Sequence, residues 1–228
     1  MIPSLLRFIL FGLLLWAATA LQAAQRLTRT ELSMQQQGMV DVQTLDSTIR
    51  VSLMYSRPDN FMGRTLYEDL HRAFLHPRAA RALVMAQRYL KEEHPEWSLI
   101  VMDACRPMHI QQMMWDKVKG TPVENYVSNP ARGGGLHTYG MAVDSTICTE
   151  RGDTIEMGSL VDHMSALSHI DREAQLVQQK KMTARAAQNR QLLRRIMRKA
   201  GFKPLRSEWW HFNLIYREEA KRNYRWIR

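Results

Sequence analysis

Near its C-terminal end the chain reads Ser207-Glu208-Trp209-Trp210-His211-Phe212-Asn213. Three large rings so close together mark core material, because aromatic side chains dominate buried surface. Cores exclude ionisable groups unless these are paired or functional, yet Glu208 and His211 sit inside the run. On a regular strand, residues three apart point to opposite faces. Glu208 and His211 can therefore share one site only if the strand bends or bulges near Trp209. Any fold for this chain must bury the rings and still account for both polar groups.

The remaining composition is that of an ordinary globular protein: 228 residues, 45% apolar and 24% charged, which excludes a disordered or fibrous chain and suits one domain with its own core. Residues 1–24 differ from the rest. Arg7 is their only charge, Phe8 to Trp16 is apolar apart from Gly12, and small residues follow. The apolar run is shorter than the roughly 20 residues of a spanning helix. It reads as a secretory signal peptide with cleavage near 20–24, an uncleaved anchor being the alternative. The expectation is export to the periplasm, with no stable membrane insertion after cleavage. Net charge is +10, much of the excess lying in 178–228. That fits a solvated helix face or an anionic wall polymer; export makes nucleic acid the poorest partner. Cys105 and Cys148 fit either one disulfide of an exported protein or two small buried residues.

Ile49, Val51, Leu53 and Tyr55 alternate like a half-buried strand. Pro77 opens a helical pattern through Leu83, Ala86 and Leu90 that Pro95 closes. "WSLIVMDA" reads as a buried strand, and "PMHIQQMMWDKVKG" as a helix between Pro107 and Gly120. "NPARGGGLHTYG" is a glycine-rich loop, and "MAVDSTI" a strand leading out of it. Residues 173–200 carry one long helical pattern, with Gly201 as its cap. "WWHFNLIY" is the last strand. Strands and helices mix without regular alternation, which points to a single α+β domain over 25–228, with a central antiparallel sheet flanked by helices.

Of eight histidines, His137 and His211 stand out. His137 ends the glycine loop seven residues before Asp144, and His211 follows Glu208 by three. Catalytic zinc takes three protein ligands, usually histidines with a carboxylate, and keeps one position open. His137, Asp144 and His211 can supply that set, with one Zn2+ per chain. Glu208 would then be the base for the attacking water. His137 and Asp144 need a turn between them, which Gly140 can provide. Each signal alone is also what a satisfied core histidine would give.

"HTYGMAVD" followed by "EWWHF" resembles the zinc D-alanyl-D-alanine dipeptidases, the VanX-like branch of the D,D-peptidase/hedgehog-like metallopeptidases. "DACRP", "YSRPDNFMGRTLY" and "MGSLVDHMSALSH" resemble further motifs of that family, in the same order, from about Asp46 to Phe212. The resemblance implies a D,D-peptidase/hedgehog-like fold. It implies that His137, Asp144 and His211 bind zinc, that Glu208 is the catalytic base, and that Arg106 stabilises the oxyanion. A structural salt bridge from Arg106 to Asp103 is the alternative. It also implies that Asp162 binds the free amine of a small peptide substrate, with Tyr55 and Tyr67 lining the pocket. Trp209, Trp210 and Phe212 would wall the site and raise the pKa of Glu208 by excluding water. Ser168-His169 would support the site or simply end a helix.

The family often carries serine two residues before the first zinc histidine; here that position is Gly135. The expected reaction is zinc-dependent hydrolysis of D-Ala-D-Ala to two D-alanines during cell-wall turnover. The alternatives are a zinc D,D-carboxypeptidase acting on longer peptidoglycan peptides, or a non-catalytic wall-binding module. Glu208 beside a full ligand set argues against the last.

Overall fold

A computed structural model describes residues 26–228; the leader expected over residues 1–24 lies outside them. Helix α1, Arg29–Gln36, opens with a capping box in which Thr28 and Glu31 satisfy each other's backbone N–H, two donors that the helix leaves free. β1 (Val40–Asp41), the one-turn helix α2 (Val42–Leu45) and β2 (Arg50–Val51) follow. The alternation through Tyr55 predicts a longer strand than β2. Instead the ladder ends with Ser52 donating to Val101, and a 3-10 turn covers Met54–Ser56. Leu53, Met54 and Tyr55 are all buried in succession, which a strand with alternating faces cannot arrange at a sheet edge.

β3 (Phe74–Leu75) pairs with β1 in a small antiparallel ladder. α3, Pro77–Glu93, has Pro77 in its first turn and buries Leu83, Val84, Ala86 and Leu90, the predicted stripe. β4 (Ser98–Asp103) and α4 (Met108–Val118) lie where the sequence puts them. β5, Ala142–Cys148, is buried along its whole length.

The single helix expected over 173–200 is two, α5 (Glu173–Gln178) and α6 (Ala184–Lys199). The break falls where Lys180 takes a left-handed backbone, φ 56°, and Thr183 caps α6 by accepting from the Ala186 N–H at 3.0 Å. That cap was the available sequence signal. Gly201, φ +96°, ends α6 as expected. Its N–H reaches Arg198 and the Phe202 N–H reaches Met197, which is a Schellman arrangement. β6 (Lys203–Leu205), β7 (Glu208–Asn213) and α7 (Arg217–Asn223) complete the chain.

The main sheet has five strands in the order β2-β4-β5-β7-β6. It is antiparallel, as predicted, except at one edge, where β2 runs parallel to β4. Two irregularities matter. The β4–β5 register shifts between Val101 and Asp103. The β6–β7 register shifts so that Pro204 faces Phe212 but the adjacent Leu205 faces Glu208. Residues 209–211 thus bulge from the ladder, at the place where the sequence requires it.

Cys105 and Cys148 are free and buried. Cys148 pairs with Ser98 at one end of the β4–β5 ladder, whereas Cys105 follows Asp103 beyond the other end, so strand length keeps the thiols apart.

Between His137 and Asp144 the chain turns at Gly140, φ +65°, where an added Cβ would lie 2.8 Å from the His76 nitrogen and 2.9 Å from both Cys105 Sγ and Met39 Sδ. Gly140→Ala adds left-handed strain of about 1–2 kcal/mol and overpacking of about 1–3 kcal/mol. Urea unfolding should show it as a drop of at least about 2 kcal/mol with an unchanged m-value.

Candidate metal centre and active site

Three neighbouring strands bring ionisable groups into one row. Asp103 on β4 lies opposite Asp144 on β5, and Asp144 lies opposite His211 on β7. Directly opposed residues share a face, so the register shift ahead of Asp103 sets which face it joins. His137 arrives from the 3-10 turn Leu136–Tyr139. One ligand atom each from His137, Asp144 and His211 then lies within 4.8 Å of the others. Asp144 Oδ1 is 3.0 Å from His211 Nδ1 and 3.3 Å from His137 Nε2, and the two ring nitrogens are 3.2 Å apart.

The tautomers follow from the outer partners. His137 Nδ1 faces the Ala104 carbonyl at 2.7 Å, which can only accept, so Nδ1 carries the proton and Nε2 presents a lone pair. His211 Nε2 faces Asn213 Oδ1 at 2.9 Å, which leaves its Nδ1 lone pair turned to the same point. Two imidazole lone pairs and a carboxylate oxygen thus converge with no donor among them, an arrangement that a small cation satisfies. Burial works to raise the Asp144 carboxyl, but His137 and His211, once they carry a second proton and donate to it, hold it well below the usual carboxylate range.

The bulge places Glu208 Oε2 3.8 Å from His211 Nδ1. Burial is the largest cause that lifts Glu208 to about 7; His211 pulls it back, while Asp144 and Asp162 push it further up. A carboxyl poised there can both take and return a proton at neutral pH. Arg106 is buried and binds Asp103 through Nε at 3.1 Å and through Nη2. Its Nη1 donates to Gln111 at 2.9 Å. Burial opposes the charge on Arg106, but Asp103 and its neighbours more than restore it. The salt bridge considered from sequence is therefore present, and it holds the guanidinium in the pocket wall.

These groups line a cavity of about 390 Å³, together with Tyr55, Tyr126, Asp162 and Trp210. Asp162 has a left-handed backbone, φ 67°, and its Oδ2 is buried with no partner. Burial, and then Asp144, raise its carboxyl to about 7. Tyr55 lies under Arg106, 5.2 Å from guanidinium carbon to ring centre. Tyr67 stands behind the wall rather than in it, donating its hydroxyl to Asp103 at 2.7 Å. Of the three rings expected to enclose the site, only Trp210 reaches it. Trp209 faces away and donates to Ser159 at 2.9 Å, and Phe212 is in the core.

At Gly135 an added Cβ would lie 3.1 Å from Ser128 Oγ, and both residues line the cavity. The space beside Gly135 is thus filled by the Ser128 hydroxyl from a neighbouring turn. His169, buried Ser168's neighbour, contacts the Tyr126 hydroxyl through Nε2 at 3.1 Å. Sequence reasoning did not single out Asp103 as a positioning group, nor Gln111, Tyr126 or Asn213. Asn213 had a signal, since it lies two residues past His211 and so on the same face. Gln111 and Tyr126 had none, because their partners are distant in the chain.

A profile described as D-ala-D-ala dipeptidase matches residues 35–226. The chain is 32% identical to a D-alanyl-D-alanine dipeptidase of Escherichia coli, over 77% of this chain and 84% of that protein. A protein of the same name from Synechocystis is 27% identical over 68% and 72% of the two chains, and one from Enterococcus faecium is 27% identical over 77% and 89%. A profile spanning nearly all the described residues, and a relative this similar along most of both lengths, establish that the chain belongs to the D-ala-D-ala dipeptidase family of peptidases.

Proposed function

We propose that the protein is an exported zinc dipeptidase that hydrolyses D-Ala-D-Ala to two D-alanines in cell-wall turnover. The observation that carries the reading is the juxtaposition of a three-donor centre with a buried carboxyl, Glu208, raised to about 7 in the same small cavity. His137, Asp144 and His211 would hold the zinc. Bound there, zinc would supply Lewis acidity toward the scissile carbonyl and the attacking water.

The chain's own residues do the rest. Glu208 takes the proton from the attacking water and returns it to the leaving amine. Arg106 offers a fixed, permanently charged group in the wall where negative oxygen develops. Asp162 takes the substrate ammonium, because its unpartnered buried oxygen needs a cation or donor. Recognition of a free amine favours a dipeptide over a longer chain, whose corresponding nitrogen is an uncharged amide. Tyr55 and Trp210 exclude water around these charges. The leader expected over 1–24 supports a periplasmic site of action, where dipeptide released from the wall is met.

D-alanine release tests this directly. Zinc-loaded protein should turn over D-Ala-D-Ala well ahead of a tripeptide or pentapeptide ending in D-Ala-D-Ala, and faster cleavage of the longer peptides would make it a wall-trimming carboxypeptidase. Glu208→Gln should lower kcat by roughly 10²–10⁴-fold with zinc still bound. Arg106→Ala should cost about 10²–10³-fold in kcat. A chelator should abolish turnover, with recovery on adding zinc. Asn213→Ala, which frees the outer nitrogen of His211, should weaken zinc binding about 10–100-fold in a competitive titration.

A further inference from the structure

Asp162 sits on a segment, 155–163, that contains neither helix nor strand. Behind this segment lies a second cavity of about 640 Å³, lined among others by Met54, Met102, Thr146 and Trp209. Met157 is buried in the core, and Ile155 and Val161 pack against it. A single buried cation adds the polar ties. Arg190 on α6 is fully buried. Its Nε donates to the Met157 carbonyl at 2.6 Å, its Nη2 to Ser159 Oγ at 3.0 Å, and its Nη1 to the Leu167 carbonyl at 3.0 Å.

These three acceptors bracket Asp162 on both sides. The same guanidinium lies over the Trp209 ring, 5.1 Å from its centre, and Trp209 donates to the Ser159 hydroxyl that Arg190 also holds. Trp209 is the residue after Glu208. One side chain thus ties the segment bearing Asp162 to the strand bearing Glu208. Its nearest carboxylate, Glu173, is 3.9 Å away and is held by Arg194 through two bonds of 2.7 Å. The geometry of Arg190 is spent on carbonyls and a hydroxyl, not on a close ion pair.

We propose that Arg190 is a positioning residue for substrate specificity: it sets Asp162 at a fixed distance from Glu208, so that a substrate anchored by its amine presents its peptide bond to the base. This rests on the dipeptidase reading given above. The strained left-handed backbone of Asp162, φ 67°, fits a residue held where it is needed.

The test is a double-mutant cycle on zinc-loaded protein with Arg190→Met, Asp162→Asn and the double variant, reading kcat and KM for D-Ala-D-Ala. If Arg190 acts through Asp162, Arg190→Met raises KM about tenfold or more with kcat less affected, and the double variant is no worse than Asp162→Asn within about twofold. Additive losses, or equal losses of activity and zinc content, would overturn the assignment. Should Arg190→Met fail to fold, Ser159→Ala removes the hydroxyl shared by Arg190 and Trp209 with little loss of volume, and must show the same non-additivity with Asp162→Asn. Wild-type protein inert toward D-Ala-D-Ala in the same assay would defeat the dipeptidase reading itself, and this assignment with it.

Discussion

Asp103, Asp144, Asp162 and Glu208 are coupled electrostatically around one cavity, and the surrounding structure answers that crowding of acids. Buried like charges within a few ångströms cannot all ionise without compensation. Each group is compensated differently. Asp103 is matched by Arg106 and a tyrosine hydroxyl. Asp144 meets a nitrogen of each of two histidines at a point suited to a cation. Tyr55 only partly offsets Asp162, and His211, 3.8 Å away, only partly offsets Glu208, so burial lifts both to about 7. The two carboxyls left poised near neutrality both face the cavity, where the proposed reading assigns one to an incoming ammonium and the other to proton transfer.

The sheet makes this arrangement possible through its faults. A regular ladder alternates side chains, so adjacent functional residues would be sent to opposite faces. The shift beside Asp103 and the bulge over 209–211 break the alternation on the two strands flanking β5. β5 itself stays regular and wholly buried, and gives the site a rigid middle on which Asp144 is fixed. The turn at Gly140 then carries His137 back over the same spot, where only a residue without Cβ fits between His76, Cys105 and Met39.

Beside Gly135 in the cavity wall, the Ser128 hydroxyl occupies the space from another segment. Gln111 connects this wall to the charged one, accepting from Arg106 and donating to the Ser128 carbonyl at 2.8 Å.

Much of this was legible in the residues. The amphipathic stripe of α3, the buried strands β4 and β5, and the glycine stops are local signals, because helix periodicity, strand hydrophobicity and backbone freedom are properties of short segments. The convergence of His137, Asp144 and His211 was legible for a different reason: the motifs that carry them resemble one family together, although each residue alone reads as a satisfied core group. What escaped depended on contacts between segments far apart in the chain. Tyr67 behind Asp103, Trp209 turned away from the cavity, the separated cysteines, and Arg190 reaching over to the Asp162 segment are all cases of this kind. The sequence by itself determined which residue types could do chemistry here and that the last strand must bulge if Glu208 and His211 are to share one site. Tertiary structure decided which of them meet, because the pairing register and the burial of each charge are set by the whole sheet and not by any one strand.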